Sequence, residues 1–158
     1  MTTPLPIHET SVQPEWIDYN GHMNVAYYVL AFDHATDKFL DHVGLGEARI
    51  KSENHSTFAL EAHVNYIREV QEGDPLKFDV QLLDYDQKRL HYFIRMFHRD
   101  EKFLSATFET ISMHMDMSAR RSAVIPPHIL DPIAELMATH SEIPRPEQAG
   151  RQMGIRHK

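Results

Sequence analysis

The chain contains no cysteine. Disulfides, thiolate nucleophiles and cysteine-held metal sites are therefore excluded. It also has no run of about 18 apolar residues, so no helical membrane span is expected. Met1 to Pro6 form neither a basic segment nor an apolar one, so no secretory signal is expected, and the location read from the sequence is cytoplasmic. Cations are not in excess. The formal net charge is −7, no basic stripe is present to neutralise phosphates, and nucleic acid is not an expected partner. Internal repeats and low-complexity tracts are absent as well.

What remains describes a globular chain. Its 158 residues suffice for one domain with a real core, taken here as 1–158, and 42% of them are hydrophobic. The twelve histidines are scattered and no pair has the spacing of a helical HExxH motif, so no metal site is expected.

Periodicity divides the chain. A short strand is expected over Ile7 to Val12, ended by Pro14. A helix is expected from Val25 to Val43, with Asn24 as N-cap, Gly44 as stop and an apolar stripe of Val25, Tyr28, Val29, Phe32, Ala35, Phe39 and Val43. The period then changes to two. Phe58, Leu60, Ala62, Val64 and Tyr66 alternate with Ala59, Glu61, His63 and Asn65. Gly73-Asp74-Pro75 is a turn, and Leu76 to Leu82 and Leu90 to Met96 alternate again. Phe103 to Met115 reads as a long last strand. Hairpin-linked strands after one long helix imply an α+β fold, an antiparallel sheet packed on that helix. A second helix over Ile129 to Thr139 and an arm from Ser141 follow, forming a C-terminal extension from about residue 126.

Chemistry concentrates in Pro14-Glu15-Trp16-Ile17-Asp18-Tyr19-Asn20-Gly21-His22-Met23-Asn24. An acidic residue precedes a glycine turn, then a cap, then an amphipathic helix. That order can aim a carboxylate and the free N–H groups of a first helical turn at one small volume. A carboxylate can activate water, and N–H groups can hold a developing oxyanion. Locally, Asp18 also reads as the Asx-turn residue of the Asn20-Gly21 turn. Asn20, His22 and Asn24 are candidates to orient water or the acyl group, with Asn24 also a cap.

The Asp18-x-x-Gly21-His22-Met23-Asn24 segment, Tyr27-Tyr28 in the helix after it, and Gly73-Asp74 opening a later strand resemble the hotdog-fold thioesterases of the 4-hydroxybenzoyl-CoA type. The resemblance covers about residues 7–140. It implies a sheet wrapped around the long helix and a dimer, or dimer of dimers, with active sites at the interface. It implies Asp18 as general base or nucleophile on a thioester carbonyl. The N–H groups of Asn24, Val25 and Ala26 fall in the first helical turn and are the candidate donors, and His22 reads either as lining the site or as a structural turn residue. Trp16 to Asn24, with the tail Arg145 to Arg151, further resembles the betainyl-CoA thioesterases of bacterial carnitine breakdown. That implies a short cationic acyl-CoA substrate. Trp16, Tyr28 and Tyr66 are candidates for an aromatic box around a quaternary ammonium. Glu61 is a candidate second carboxylate, and Arg120-Arg121 the first candidates for CoA phosphates, ahead of Arg68, Lys88 and Arg89. No cofactor is expected, since CoA arrives as part of the substrate. The other readings are an aromatic acyl-CoA or acyl-ACP thioesterase, and a catalytically silent CoA-thioester-binding module.

Overall fold

The computed structural model describes residues 2–158. One antiparallel sheet holds six strands: β1 (Leu5–Ser11), β2 (His55–Tyr66), β3 (Pro75–Tyr85), β4 (Arg89–His98), β5 (Leu104–Asp116) and the two-residue β6 (Arg121–Ser122). Their order is β1-β3-β4-β5-β2, with β6 paired to the end of β5. Among the described residues three α-helices accompany them, α1 (Val25–His42), α2 (Ala48–Glu53) and α3 (Pro127–His140), with a single 3-10 turn at Pro14–Trp16. The sheet curls around α1, which is the hotdog arrangement.

The core lies between α1 and the inner sheet face. Tyr28, Ala31, Phe32, Ala35, Phe39 and Leu40 recur at helical spacing and are buried. Phe32 stacks on Phe108 and meets Phe78 edge-on, with ring centroids 5.2 and 5.8 Å apart. Phe39 contacts Tyr92 at 4.9 Å. Each such fully buried ring contributes about 1.5–3 kcal/mol of transfer free energy. Tyr92 shares its hydroxyl hydrogen bond with Ser112 at 2.8 Å, and burial pushes its phenol up to about 12.

Two expectations change here. Val25 and Val29, assigned to the buried stripe, are 57% and 43% exposed. Val25 lies beside the end of edge strand β2, whose Tyr66 hydroxyl donates to the Val25 carbonyl. The alternation expected along β2 also breaks. A bulge between Ala59 and Glu61 gives β2 one extra residue against β5. Phe58 therefore pairs with Met113 on the outer face, whereas Ala62 pairs with Thr110 on the inner one. The short α2 and β6 had no counterpart in the sequence reading. Helix α1 stops one residue earlier than expected, and Gly44 adopts φ +82° just beyond it.

Helix α3 packs against β3. The pairing of β1 with β3 stops at Leu5 and Val80, and beyond it the Leu82 N–H donates to Nδ1 of buried His140 at 2.8 Å. Among the described residues no helix is long and apolar enough to cross a membrane.

Candidate active site

Residues 16–28 fold into a compact loop at the start of α1. Ile17 bridges Met23, the Asp18 N–H donates to the His22 carbonyl at 3.2 Å, and the Gly21 N–H donates to the Asp18 carbonyl at 3.0 Å. Gly21 sits at φ +80°, a left-handed conformation that costs other residues about 1–2 kcal/mol. This is why the turn carries glycine there. The Met23 N–H donates to the Val70 carbonyl at 3.0 Å, tying the loop to the segment before β3.

Asp18 does two things in this loop. Its Oδ1 accepts the Asn20 N–H at 2.8 Å, closing an Asx turn. Its Oδ2 accepts the Asn24 side-chain amide at 3.0 Å. The Asn24 amide first and the Asn20 N–H second hold the Asp18 carboxyl below the usual carboxylate value, and the His22 imidazole adds to this. The group is thus an oriented, ionised carboxylate at the surface.

Asn24 works in two directions. Its amide nitrogen holds Asp18, and its Oδ1 caps α1 by accepting the Ala26 N–H at 3.0 Å. One side chain therefore couples the carboxylate to the helix start. The cap also corrects the expected row of donors. The Asn24 N–H is taken by the Trp16 carbonyl at 2.9 Å and the Ala26 N–H by the cap. Among the described residues, Val25 is the first-turn residue whose N–H has no partner in the loop. An oxyanion hole built on α1 would rest on that donor, at the positive end of the helix.

The other candidates fall into place unevenly. The His22 Nδ1 lies 3.3 Å from the Met23 carbonyl and its Nε2 3.5 Å from Glu69, a neighbour with no local sequence signal. Asn20 is exposed, and its contribution here is the N–H on Asp18. Trp16 is buried, with its ring stacked on Tyr27 at 6.0 Å and 14°. Its face is not open to a ligand, and Tyr27 is the ring that the helical stripe passed over. Tyr28 is buried too, and that burial raises its phenol. Tyr66, from the end of β2, meets Tyr28 edge-on at 5.1 Å and donates to the Val25 carbonyl at 3.4 Å. The structure therefore joins Tyr28 and Tyr66 beside the helix start but does not close a box with Trp16. Tyr19, next to Asp18 in the turn, is 96% exposed and was not singled out from the sequence.

Glu61 and Arg120-Arg121 do not approach Asp18 within one chain. Glu61 pairs with Ile111 on the outer face, in an open cleft shared with His63, His91 and Glu109. Arg121 pairs with Asp116, which also pairs with His55 at the start of β2. Tyr66, at the other end of that 12-residue strand, lies about 36 Å away at about 3.3 Å per residue. Among the described residues no group of three or more His, Asp or Glu side chains is placed to hold a metal ion.

A wrapped antiparallel sheet, a buried helix and an ionised carboxylate at that helix's capped N-terminus define a thioester hydrolase of the hotdog class. The chain belongs to the thioesterase-like superfamily, whose model matches residues 12–133. It is 37% identical over 155 residues to the betainyl-CoA thioesterase of Pseudomonas aeruginosa, covering 98% of each chain. It is also 37% identical to part of the L-carnitine dehydrogenase/betainyl-CoA thioesterase of Agrobacterium fabrum, spanning 97% of this chain and 31% of that longer one. A hypothetical protein of Staphylococcus aureus solved in complex with CoA superposes with a TM-score of 0.90 at 29% identity, over 99% of this chain and 98% of that one. A 1,4-dihydroxy-2-naphthoyl-CoA thioesterase from Synechocystis shares the fold, with a TM-score of 0.70 at 15% identity over 89% of this chain and 98% of that one.

Proposed function

We propose that this chain hydrolyses betainyl-CoA to betaine and CoA, in the cytoplasm, as a homodimer. The observation that carries the substrate is the 37% identity to a betainyl-CoA thioesterase over 98% of both chains. The site geometry supplies a route. The thioester carbonyl oxygen lies on the Val25 N–H. Asp18, ionised and oriented by Asn24, either takes a proton from the attacking water or attacks the carbonyl carbon itself. Negative charge gathers on the carbonyl oxygen and is stabilised at the helix N-terminus. Collapse breaks the carbon–sulfur bond. With Asp18 as base, the proton it took from water passes to the departing thiolate, giving CoA thiol and the acid; with Asp18 as nucleophile, an Asp18–acyl anhydride is left, and a water molecule then hydrolyses it to the acid and free Asp18 while supplying the thiolate's proton. The route needs no metal or redox cofactor.

The dimer is supported by what one chain leaves open. Strand β2 is a 12-residue edge strand, and Phe58 to Ala62 are exposed on both faces at its centre. Long exposed edges with apolar residues invite pairing. Val25 and Val29 are exposed beside the same edge, and a second copy would cover them. Two-fold pairing of β2 with its copy is antiparallel. It would lay the partner's His55 end, with Arg120 and Arg121, alongside the Tyr66 end of this chain, and so bring cations toward Asp18 for the CoA phosphates.

A quaternary ammonium has no hydrogen to donate, so selection falls to aromatic faces, each worth about 0.5–2 kcal/mol. Tyr66 and Tyr19 keep exposed faces at this end of α1. The test compares betainyl-CoA with 3,3-dimethylbutyryl-CoA, which has the same shape without charge. A kcat/KM at least about 10-fold higher for betainyl-CoA, equivalent to about 1.4 kcal/mol, is the expected result. Equal rates would overturn the betaine reading and leave the thioesterase standing. Light scattering at micromolar protein tests the dimer.

A further inference from the structure

The C-terminal tail follows a path that points off the molecule. Gln81, Phe93, Glu109 and His63 form one cross-strand row over β3, β4, β5 and β2. All four lie on the outer face, opposite α1. The tail traces this row. The Gln81 side chain donates to the carbonyls of Ile143 and Pro144 at 3.3 and 3.5 Å. A turn closes between Pro146 and Ala149, and the Gly150 N–H then donates to both Glu109 oxygens at 3.0 and 2.8 Å. Arg151 reaches the cleft beside Glu61 and His63 on β2. Between the two anchors lies Phe93, which is 1% exposed yet outside the core cluster around α1. Residues 145–149 join the two anchors that flank it.

After Arg151 the row runs out, because β2 is the sheet edge. Seven residues remain. At about 3.3 Å each they reach about 23 Å, more than four strand spacings of about 4.8 Å. Met153 and Ile155 in this segment are each 85% exposed, although their own sheet offers apolar surface at Phe58, Ile111 and Met113. The segment also carries Arg156 and Lys158, just beyond Arg151, on a chain of net charge −7, so a second copy attracts it.

We propose that residues 152–158 form an arm that crosses the open β2 edge and packs on the outer sheet face of a second copy, seating Met153 and Ile155 on the partner's Phe58, Ile111 and Met113. This rests on the two-fold dimer proposed above. Continuity supplies the direction: the anchored row Gln81–Phe93–Glu109–His63 continues, in a β2-paired dimer, as the partner's strands. Two apolar side chains that one chain leaves in water become buried, and each arm locks the seam that the edge strands make.

The absence of native cysteine makes a direct test available. Ile155→Cys in one tagged chain and Met113→Cys in a differently tagged chain are mixed, allowed to exchange subunits and treated with a short bismaleimide. A cross-link joining the two tags is expected. A second variant ends the chain after Arg151. Its circular dichroism is expected to match the parent, while sedimentation shows a dimer Kd raised at least 10-fold. A dimeric parent with no inter-tag cross-link, or with a Kd unchanged by the truncation, overturns the arm and leaves the dimer intact. A monomeric parent at micromolar concentration overturns the dimer and the arm with it.

Discussion

The two ends of α1 are both polar, and they are built to opposite ends. At the N-terminus the groups are local and exposed. Asp18, Asn20, Asn24 and Val25 lie within eight residues, and they leave an ionised carboxylate and one N–H without a partner in the loop. At the C-terminus the groups come from distant elements, and Arg49 and His114 among them are buried. Arg49 in α2 donates through Nη1 to His114 Nε2 on β5 at 2.7 Å and through Nη2 to Glu53. His114 Nδ1 in turn lies 3.0 Å from the Ala123 carbonyl. Helix polarity explains the choice: the positive end suits an oxyanion, and the negative end suits Arg49 and the last-turn His42. An open donor at a solvent-facing helix start can do chemistry, whereas donors and acceptors locked on one another underground can only hold shape.

The largest effect that would break this contrast is at Asp18. Asp18→Asn keeps the shape and the Asn20 contact but removes the charge. A fall in kcat of about 10²- to 10⁴-fold with an unchanged circular dichroism spectrum is expected. Turnover near that of the parent would remove Asp18 from the mechanism. Because the carboxyl is held below its usual value, its deprotonated form persists at mildly acid pH. No loss of kcat/KM attributable to Asp18 is expected on lowering the pH from 8 to about 5.

Arg49→Met is the mirror experiment. It leaves the His114 Nε2 acceptor buried without a donor, a cost of about 1–3 kcal/mol in stability by denaturant titration. kcat on the folded enzyme should hardly change. A large drop in kcat at constant stability would show that the two ends of the helix are not separate in function.

How much of this was legible in the sequence differs between the ends for the same reason. The Asp18 turn, the Asn24 cap and the Gly44 stop are relations over a few residues, and residue type alone announces them. The family resemblance then attached a chemistry to the turn. Arg49 and His114 are 65 positions apart, and no local pattern links them. Helix α2 has six residues, too few to show a period. The bulge in β2 moved Phe58 to the other face, a shift that alternation cannot register. Trp16 failed as a ligand-facing ring because Tyr27, one place off the core stripe, covers it. The Trp16 carbonyl takes the Asn24 N–H and the Asn24 side chain takes the Ala26 N–H, which reduces three expected donors to one. That competition depends on how the loop folds back, which spacing does not reveal.

Asn24→Ala sharpens the comparison at smaller scale, because Asn24 belongs to both the cap and the carboxylate. Losing the cap should cost about 1 kcal/mol in stability. Losing the amide on Asp18 frees the carboxylate, and its pKa should return toward the ordinary aspartate value. Asn24→Asp separates the two roles: it restores a capping oxygen but places a second negative charge 3.0 Å from Asp18 Oδ2. Stability recovered without activity would assign the catalytic loss to the amide. Full activity in Asn24→Ala, read as kcat at saturating substrate, would reduce Asn24 to a cap.

The smallest effect is a pH dependence at the buried end. His114 Nε2 accepts from Arg49, so the ring proton sits on Nδ1 and points at the Ala123 carbonyl; the ring is neutral. Burial first, then the nearby Arg49 charge and His55, hold its pKa below 6.5. Burial does the same for His140, whose Nδ1 must stay unprotonated to accept the Leu82 N–H. The unfolded chain therefore takes up these protons first as the pH falls below about 6.5. Stability is at its full value above that pH and declines on acidification until the folded-state pKa is passed. Melting temperatures should fall between pH 7.5 and 5.5, before the carboxylates titrate. His114→Gln supplies an acceptor for Arg49 and a donor for Ala123 without a titrating proton, so it should flatten that decline while leaving kcat unchanged. A slope unaltered in His114→Gln and in a matching His140→Gln would place the acid sensitivity outside these two histidines.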